Sequence, residues 1–244
     1  MLPAAANTVR RSLSASMLLA VKAKRFDTVG DGATRLARSA FTLVELLATV
    51  AIIGLLASLL LPSLIRAKET AKVARIHAEL YGIGLALEMY SADRENQLPP
   101  VRVNCNSDLA THWCELPVEL ATQGYLPAGR QGGREADLED LFNRDHTYKY
   151  AAPGPQLLNG RPAGNYALWV PTNAPTMSGG GEYFSDPKDS PVRWVVWSLG
   201  PRPSSKKSQG TYAPLSANTW YRHAGDGGVV ARFATKENTQ YKTP

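Results

Sequence analysis

From Phe41 to Ile65 the chain runs for 25 residues with a single charge, Glu45. The hydrocarbon core of a bilayer, ~30 Å thick, is crossed by ~20 helical residues rising ~1.5 Å each. The run is therefore long enough to span a membrane. A cleaved secretory signal has an apolar stretch of only ~7–15 residues ending at a small-residue cut site. This run is longer and passes into a second helical pattern, so it is expected to be retained. Glu45 is the anomaly within it, because an acidic side chain costs roughly 2.5–3.5 kcal/mol at the centre of a spanning helix and less near an end. Two explanations stand side by side. Glu45 either snorkels to water from one turn inside the surface, or meets a positive partner within lipid.

The charge distribution supports an anchor. Residues 1–40 hold seven basic and two acidic residues, whereas the remaining 204 hold 20 and 19. The net charge of +6 thus sits almost wholly in the leading segment, which reads as a topology or targeting signal. Nucleic acid is not the partner this pattern implies. The two cysteines, Cys105 and Cys114, cannot make an all-cysteine zinc site. In an exported segment they could form a disulfide closing a short loop, the alternative being two buried free thiols.

The stretch around the charge, Ser39-Ala40-Phe41-Thr42-Leu43-Val44-Glu45, resembles the amino-terminal signal of type IV pilins and type II secretion pseudopilins. The continuation through Pro62 to the basic residues after Ile65 resembles them too, and the likeness covers roughly residues 36–100. The resemblance implies that a prepilin peptidase cuts the basic leader, residues 1–40, between Ala40 and Phe41. It also implies N-methylation of Phe41 and an assembly role for Glu45, four residues beyond the cut. The position before the cut carries Ala40 where the family nearly always has Gly. Met17 is an alternative start, giving a leader of 24 residues. The implied location is the bacterial inner membrane, with the leader cytoplasmic and the globular part periplasmic until assembly. The implied partners are the peptidase, identical or related pilin-like subunits, an inner-membrane assembly platform and the surrounding lipid.

Residues 41–65 are expected to form the membrane and assembly half of a helix, and 66–92 an amphipathic half. Ile76, Leu80, Ile83, Leu87 and Tyr90 recur at steps of 4, 3, 4 and 3, one apolar stripe. Pro62 is expected to kink or loosen the helix, since it lacks an N–H. Residues 93–244 read as a globular domain. A short helix is expected around Pro117–Gln123, closed by Gly124. A loop and a short acidic helical segment are expected over "GRQGGREADLEDLFNRD". "NYALWVP" and "VRWVVWSLG" read as strands, and "GDGGVVARFA" as a hairpin turn at Asp226-Gly227 before a last strand. The fold class is α+β: a long N-terminal helix packed on a small antiparallel sheet with long loops, the pilin-like layout.

No catalytic constellation emerges. His77, His112, His146 and His223 match no metal-ligand spacing, and Glu139 with Asp140 reads as a solvated helix face. The chain is expected to be a structural subunit rather than an enzyme, without a cofactor. In major pseudopilins the loop after Ser-Leu-Gly-Pro carries acidic calcium ligands. Here Arg202–Lys207 is basic, which leaves Asp226 with backbone carbonyls as a weak calcium candidate. The alternative function is an anchored adhesive or DNA-uptake module. Its contacts would come from the five tryptophans and the Arg202–Lys207 loop. Burial of the tryptophans in the core would argue for a plain scaffold.

Overall fold

The computed structural model describes residues 41–105, 114–128, 138–172, 174, 181–209 and 214–244. The leader with Ala40, and His112 with Trp113, lie outside them. The chain falls into a short leading unit ending at Ala48 and a larger one, Thr49–Pro244.

Helix α1 is Leu43–Ala92 and ends where the sequence pattern expects. Its first half is long and apolar enough to cross a membrane by length and composition. Every residue from Phe41 to Lys68 is exposed. Pro62 lies inside α1, and the helix continues through it. The two serines of this half bond to their own helix: Ser58 donates to the Leu55 carbonyl and Ser63 to that of Leu60, both at 2.7 Å. That leaves neither hydroxyl seeking a partner in an apolar medium.

The second half of α1 buries the expected stripe of Ile76, Leu80, Ile83, Leu87 and Tyr90, together with Val73, Gly84 and Ala86. These residues enter the core of the domain. The main sheet is antiparallel, in the order β11 (Gln240–Lys242), β10 (Val230–Thr235), β9 (Val192–Ser198) and β4 (Lys149–Ala151). Strand β9 is nearly continuous apolar residues and is buried along its length except at Arg193, as a central strand should be. A second sheet orders β1 (Val101–Val103), β5 (Gly154–Leu158) and β6 (Arg161–Tyr166). The β5–β6 hairpin turns on Asn159 and Gly160, with φ of 48° and 79°. Two consecutive positive φ values in a two-residue loop are what Asn-Gly is selected for. Helix α2 is Val118–Thr122 and is followed by Gly124 at φ 83°, as expected. The paired strands β7 (Leu168–Val170) and β8 (Glu182–Phe184), the short helix α3 (Lys206–Gln209) and the strands β2 (Glu139–Asp140) and β3 (Asn143–Thr147) complete the described elements.

Two expectations are corrected here. Over its described residues the acidic segment is not helical: β2 and β3 pair antiparallel across a tight turn. Asp140 is no solvated acid, being 2% exposed. It accepts bonds from the Phe142 N–H, the Asn143 amide and the Ser198 hydroxyl at 3.0, 2.8 and 2.9 Å. An aspartate that bonds the backbone two residues on favours a turn over a helix interior. Likewise, Asp226-Gly227 does not join two antiparallel strands. Strand β10 is followed by β11, and the hairpin is theirs.

The helix meets the sheet at one close point. A Cβ built on Gly84 would lie 2.6 Å from the Trp194 ring, whereas one on Gly82 would meet nothing within 4 Å. Alanine favours a helix interior over glycine by ~1 kcal/mol. We expect Gly82→Ala to raise the thermal midpoint of the domain. Gly84→Ala should lower it despite the same gain in propensity, because the ring must move. Equal shifts in the two melting curves would contradict this packing.

Candidate assembly site

Thr42 and Glu45 open α1 as a reciprocal cap. The Thr42 Oγ1 accepts the Glu45 N–H at 3.2 Å. Glu45 Oε2 accepts the Thr42 N–H at 2.9 Å and its hydroxyl at 2.8 Å. This is a capping box, Thr-x-x-Glu, in which two orphan donors of the first turn are satisfied by each other's side chains. Sequence reasoning weighed Glu45 only as a membrane charge. The Thr42–Glu45 spacing was the signal that would have shown its local role as well. All three bonds leave Oε1 unused, and Glu45 is exposed. The carboxylate therefore keeps one oxygen outside the cap. A cation arriving at that oxygen would meet a charge already held in place. Phe41, immediately before the box, is 74% exposed.

On the domain, α1 is tied to the loops by its acids. Glu88 accepts Arg193 Nη1 at 2.6 Å and Trp194 Nε1 at 2.7 Å. Arg193 also reaches Ser91, Asn96 and Asn238. It thereby joins the end of α1, the loop after it and the β10–β11 hairpin. Glu79 accepts the Tyr148 hydroxyl. Burial and that bond together push the phenol well above the usual range. Glu69 accepts the Gly225 N–H at 2.9 Å, and Arg202 lies 3.8 Å from it.

Asp226, the weak calcium candidate, is engaged. Lys207 Nζ donates to both of its oxygens, at 2.9 and 2.8 Å, and Arg202 donates to its backbone carbonyl. Bonding to the Lys207 ammonium is the main cause that holds the carboxyl below the usual range. A divalent cation here would have to displace one cation and sit beside another, so these residues do not fit calcium. No group of three or more potential ligands occurs among the described residues. Of the Arg202–Lys207 loop, considered as a contact for a partner, Arg202 and Lys207 bond to their own chain, and Lys206 is exposed.

The expected disulfide is absent. Cys105 and Cys114 are both free, the first exposed and the second buried. The Cys114 thiol lies 3.5 Å from the Tyr166 hydroxyl, and burial pushes it up to about 12. Such a thiol is inert at neutral pH. Trp194 and Trp197 are buried, 0% and 1% exposed, the scaffold outcome for these two. Trp169 and Trp220 are half-buried.

Residues 35–61 match the family described as the prokaryotic N-terminal methylation motif. The chain is also 38% identical over 56 residues to the type II secretion system core protein G of Pseudomonas aeruginosa. That match covers 23% of this chain and 39% of the relative, so the likeness spans about two fifths of the relative's length. No solved structure matches the chain. These findings bear out the prepilin-type signal read from the sequence and support a type IV pilin or pseudopilin.

The Lys207–Asp226 pair predicts a pH response. A carboxyl whose folded pKa is depressed contributes stability above its unfolded value, and that contribution is lost as pH falls through the folded one. Carboxylate NMR titration should find Asp226 below the usual range, and Lys207→Met should move it back up. An unchanged midpoint in the variant would mean that the pair does not form.

Proposed function

We propose that this chain is a structural subunit, a pseudopilin, of a type II secretion or type IV pilus-like filament. Prepilin peptidase cuts it between Ala40 and Phe41, Phe41 is N-methylated, and the subunit assembles from the inner membrane without a cofactor. In the membrane the leader is cytoplasmic and the globular domain faces the periplasm. The observation that carries this reading is the prepilin-type motif over residues 35–61. Its one acid sits in the first turn of an apolar helix with an oxygen to spare. The likeness to a type II secretion core protein favours the secretion system over the pilus.

The mechanism is electrostatic. Cleavage creates an ammonium group on Phe41. Left alone in low dielectric, that ammonium and the Glu45 carboxylate are each costly, and together they attract. The ammonium of one subunit approaches Oε1 of Glu45 on its neighbour while Oε2 keeps the cap. The pair gives the incoming subunit a register that leucine packing alone does not provide. Lys207 supplies at Asp226 the positive charge that a metal would otherwise bring.

The adhesive or DNA-uptake alternative is less favoured. The basic loop is bonded to Asp226 and Glu69, and two tryptophans are core residues.

Two substitutions separate the cap from the charge. Glu45→Gln retains an acceptor for the capping box but has no charge. Thr42→Ala removes the box and retains the charge. We expect Glu45→Gln to be processed and inserted normally, yet to lower filament yield roughly tenfold or more, the effect of ~1.4 kcal/mol per contact. Thr42→Ala should assemble with a smaller loss. Filaments at normal yield from Glu45→Gln would refute the ammonium pairing. Mass spectrometry of the membrane-extracted protein should give a mature terminus at methylated Phe41. A terminus at Met1 or Met17 would refute processing.

A further inference from the structure

Helix α1 is bare as far as Lys68. Glu69 is its first residue with any cover, and Val73 the first that is buried. The part of the domain nearest the apolar run is therefore whatever touches Glu69. Two loops do so. The Gly225 N–H donates to its carboxylate at 2.9 Å, and Arg202 approaches it at 3.8 Å. Lys207 fastens one loop to the other through Asp226. Glu69 lies four residues past Ile65, about 6 Å along the helix at ~1.5 Å each. Bilayer headgroups add roughly 5–8 Å to each side of the hydrocarbon core. With Ile65 at the edge of that core, both loops stand at headgroup depth.

This end of the domain is basic. Residues 66–69 hold Arg66, Lys68 and one acid, Glu69. Residues 198–229 hold Arg202, Lys206, Lys207 and Arg222, with Asp226 as the one acid. Of these six cations, Arg202 and Lys207 pair with the two acids. Four remain: Arg66, Lys68, Lys206 and Arg222 are all exposed, and none is in an ion pair among the described residues. The next cations along α1 are engaged elsewhere, Lys72 over the Phe142 ring at 5.6 Å and Arg75 with Glu79 at 2.7 Å. A topology signal does not explain the four, because the excess of Lys and Arg that sets orientation lies in the leader, on the other flank of the apolar run.

What meets these cations must be anionic and must lie beside the end of the apolar run. A leaflet that contains anionic phospholipid satisfies both conditions. Acids of a second protein satisfy the first condition only. We propose that loops 202–207 and 221–226, together with Arg66 and Lys68, form a docking surface for anionic phospholipid headgroups, which holds the membrane-proximal end of the domain against the leaflet. Lipid phosphates accept charge-assisted hydrogen bonds from Arg66, Lys68, Lys206 and Arg222. Because the loops are bonded to α1 at Glu69, a docked leaflet also restrains the tilt of the helix. This rests on the reading of the apolar run as a membrane anchor and adds to it a preference for lipid charge.

The test compares the full chain in two lipid nanodiscs, one of phosphatidylcholine alone and one that also contains phosphatidylglycerol. Amide hydrogen exchange is followed over residues 204–208 and 221–227. Each Lys or Arg at an anionic surface is worth roughly a fivefold change in binding. Exchange in the anionic disc should therefore be about fivefold or more slower, and added salt should abolish the difference. The double variant Lys206→Ser, Arg222→Ser should lose the protection while exchange of strand β9 stays as in the unsubstituted chain. Lys188→Ser with Lys236→Ser removes two exposed cations near Asn96, beyond the far end of α1, and should retain it. Equal exchange in both discs, from a chain that stays embedded, would overturn the docking surface alone and assign these cations to a protein partner. Equal protection in the neutral disc on adding inorganic phosphate would overturn it too, in favour of a free-anion site. Release of the chain from both discs by alkaline carbonate would instead bring down the anchor reading.

Discussion

The domain depends on the docking of α1 against β9. Gly84 allows the Trp194 ring to lie where a side chain would otherwise be, and Glu88 accepts both the indole N–H and the Arg193 guanidinium. A buried tryptophan without a partner for its N–H would cost free energy. An acid at a half-buried helix position needs donors for the same reason. Each group satisfies the other. Arg193 then extends the link to Asn96 and Asn238, so the end of the helix, the following loop and the β10–β11 hairpin share one polar centre.

The same helix meets different demands along its length. Near its start every residue is exposed and, Glu45 and a few hydroxyls apart, apolar, suited to lipid or to other apolar helices. Farther along, one side is buried in its own domain. The acids of that half are not decoration for solubility: Glu69, Glu79 and Glu88 each accept a bond from the domain. The basic residues Lys207 and Arg202 pair with Asp226 and Glu69 respectively. Ion pairs of this exposure add little stability singly. Their effect is to tie Arg202 and α3 to the Asp226 turn and to α1.

Glu45 shows how one residue serves two physical ends. Its capping role satisfies donors of the first helical turn, which an apolar medium would leave without water. Its charge remains available on the other oxygen. The two roles act on different atoms of one carboxylate and do not compete.

The sequence by itself determined the elements whose signal is local. The apolar run, the stripe from Ile76 to Tyr90, the end of α1 at Ala92 and strand β9 follow from hydrophobic periodicity and composition. The Asn159-Gly160 hairpin and the Thr42–Glu45 cap were equally legible, from turn chemistry and spacing, although they were passed over. Only the tertiary structure decided the rest. Asp140 is buried because Ser198, 58 residues away, meets its carboxylate. Cys114 stays a free thiol because the fold buries it beside Tyr166 while Cys105 remains at the surface. Asp226 is claimed by Lys207 because α3 brings an ammonium to it across 19 residues. Periodicity reports which face of an element is apolar. It carries no information about which distant charge or hydroxyl will arrive there, since that is set by packing between elements far apart in the chain.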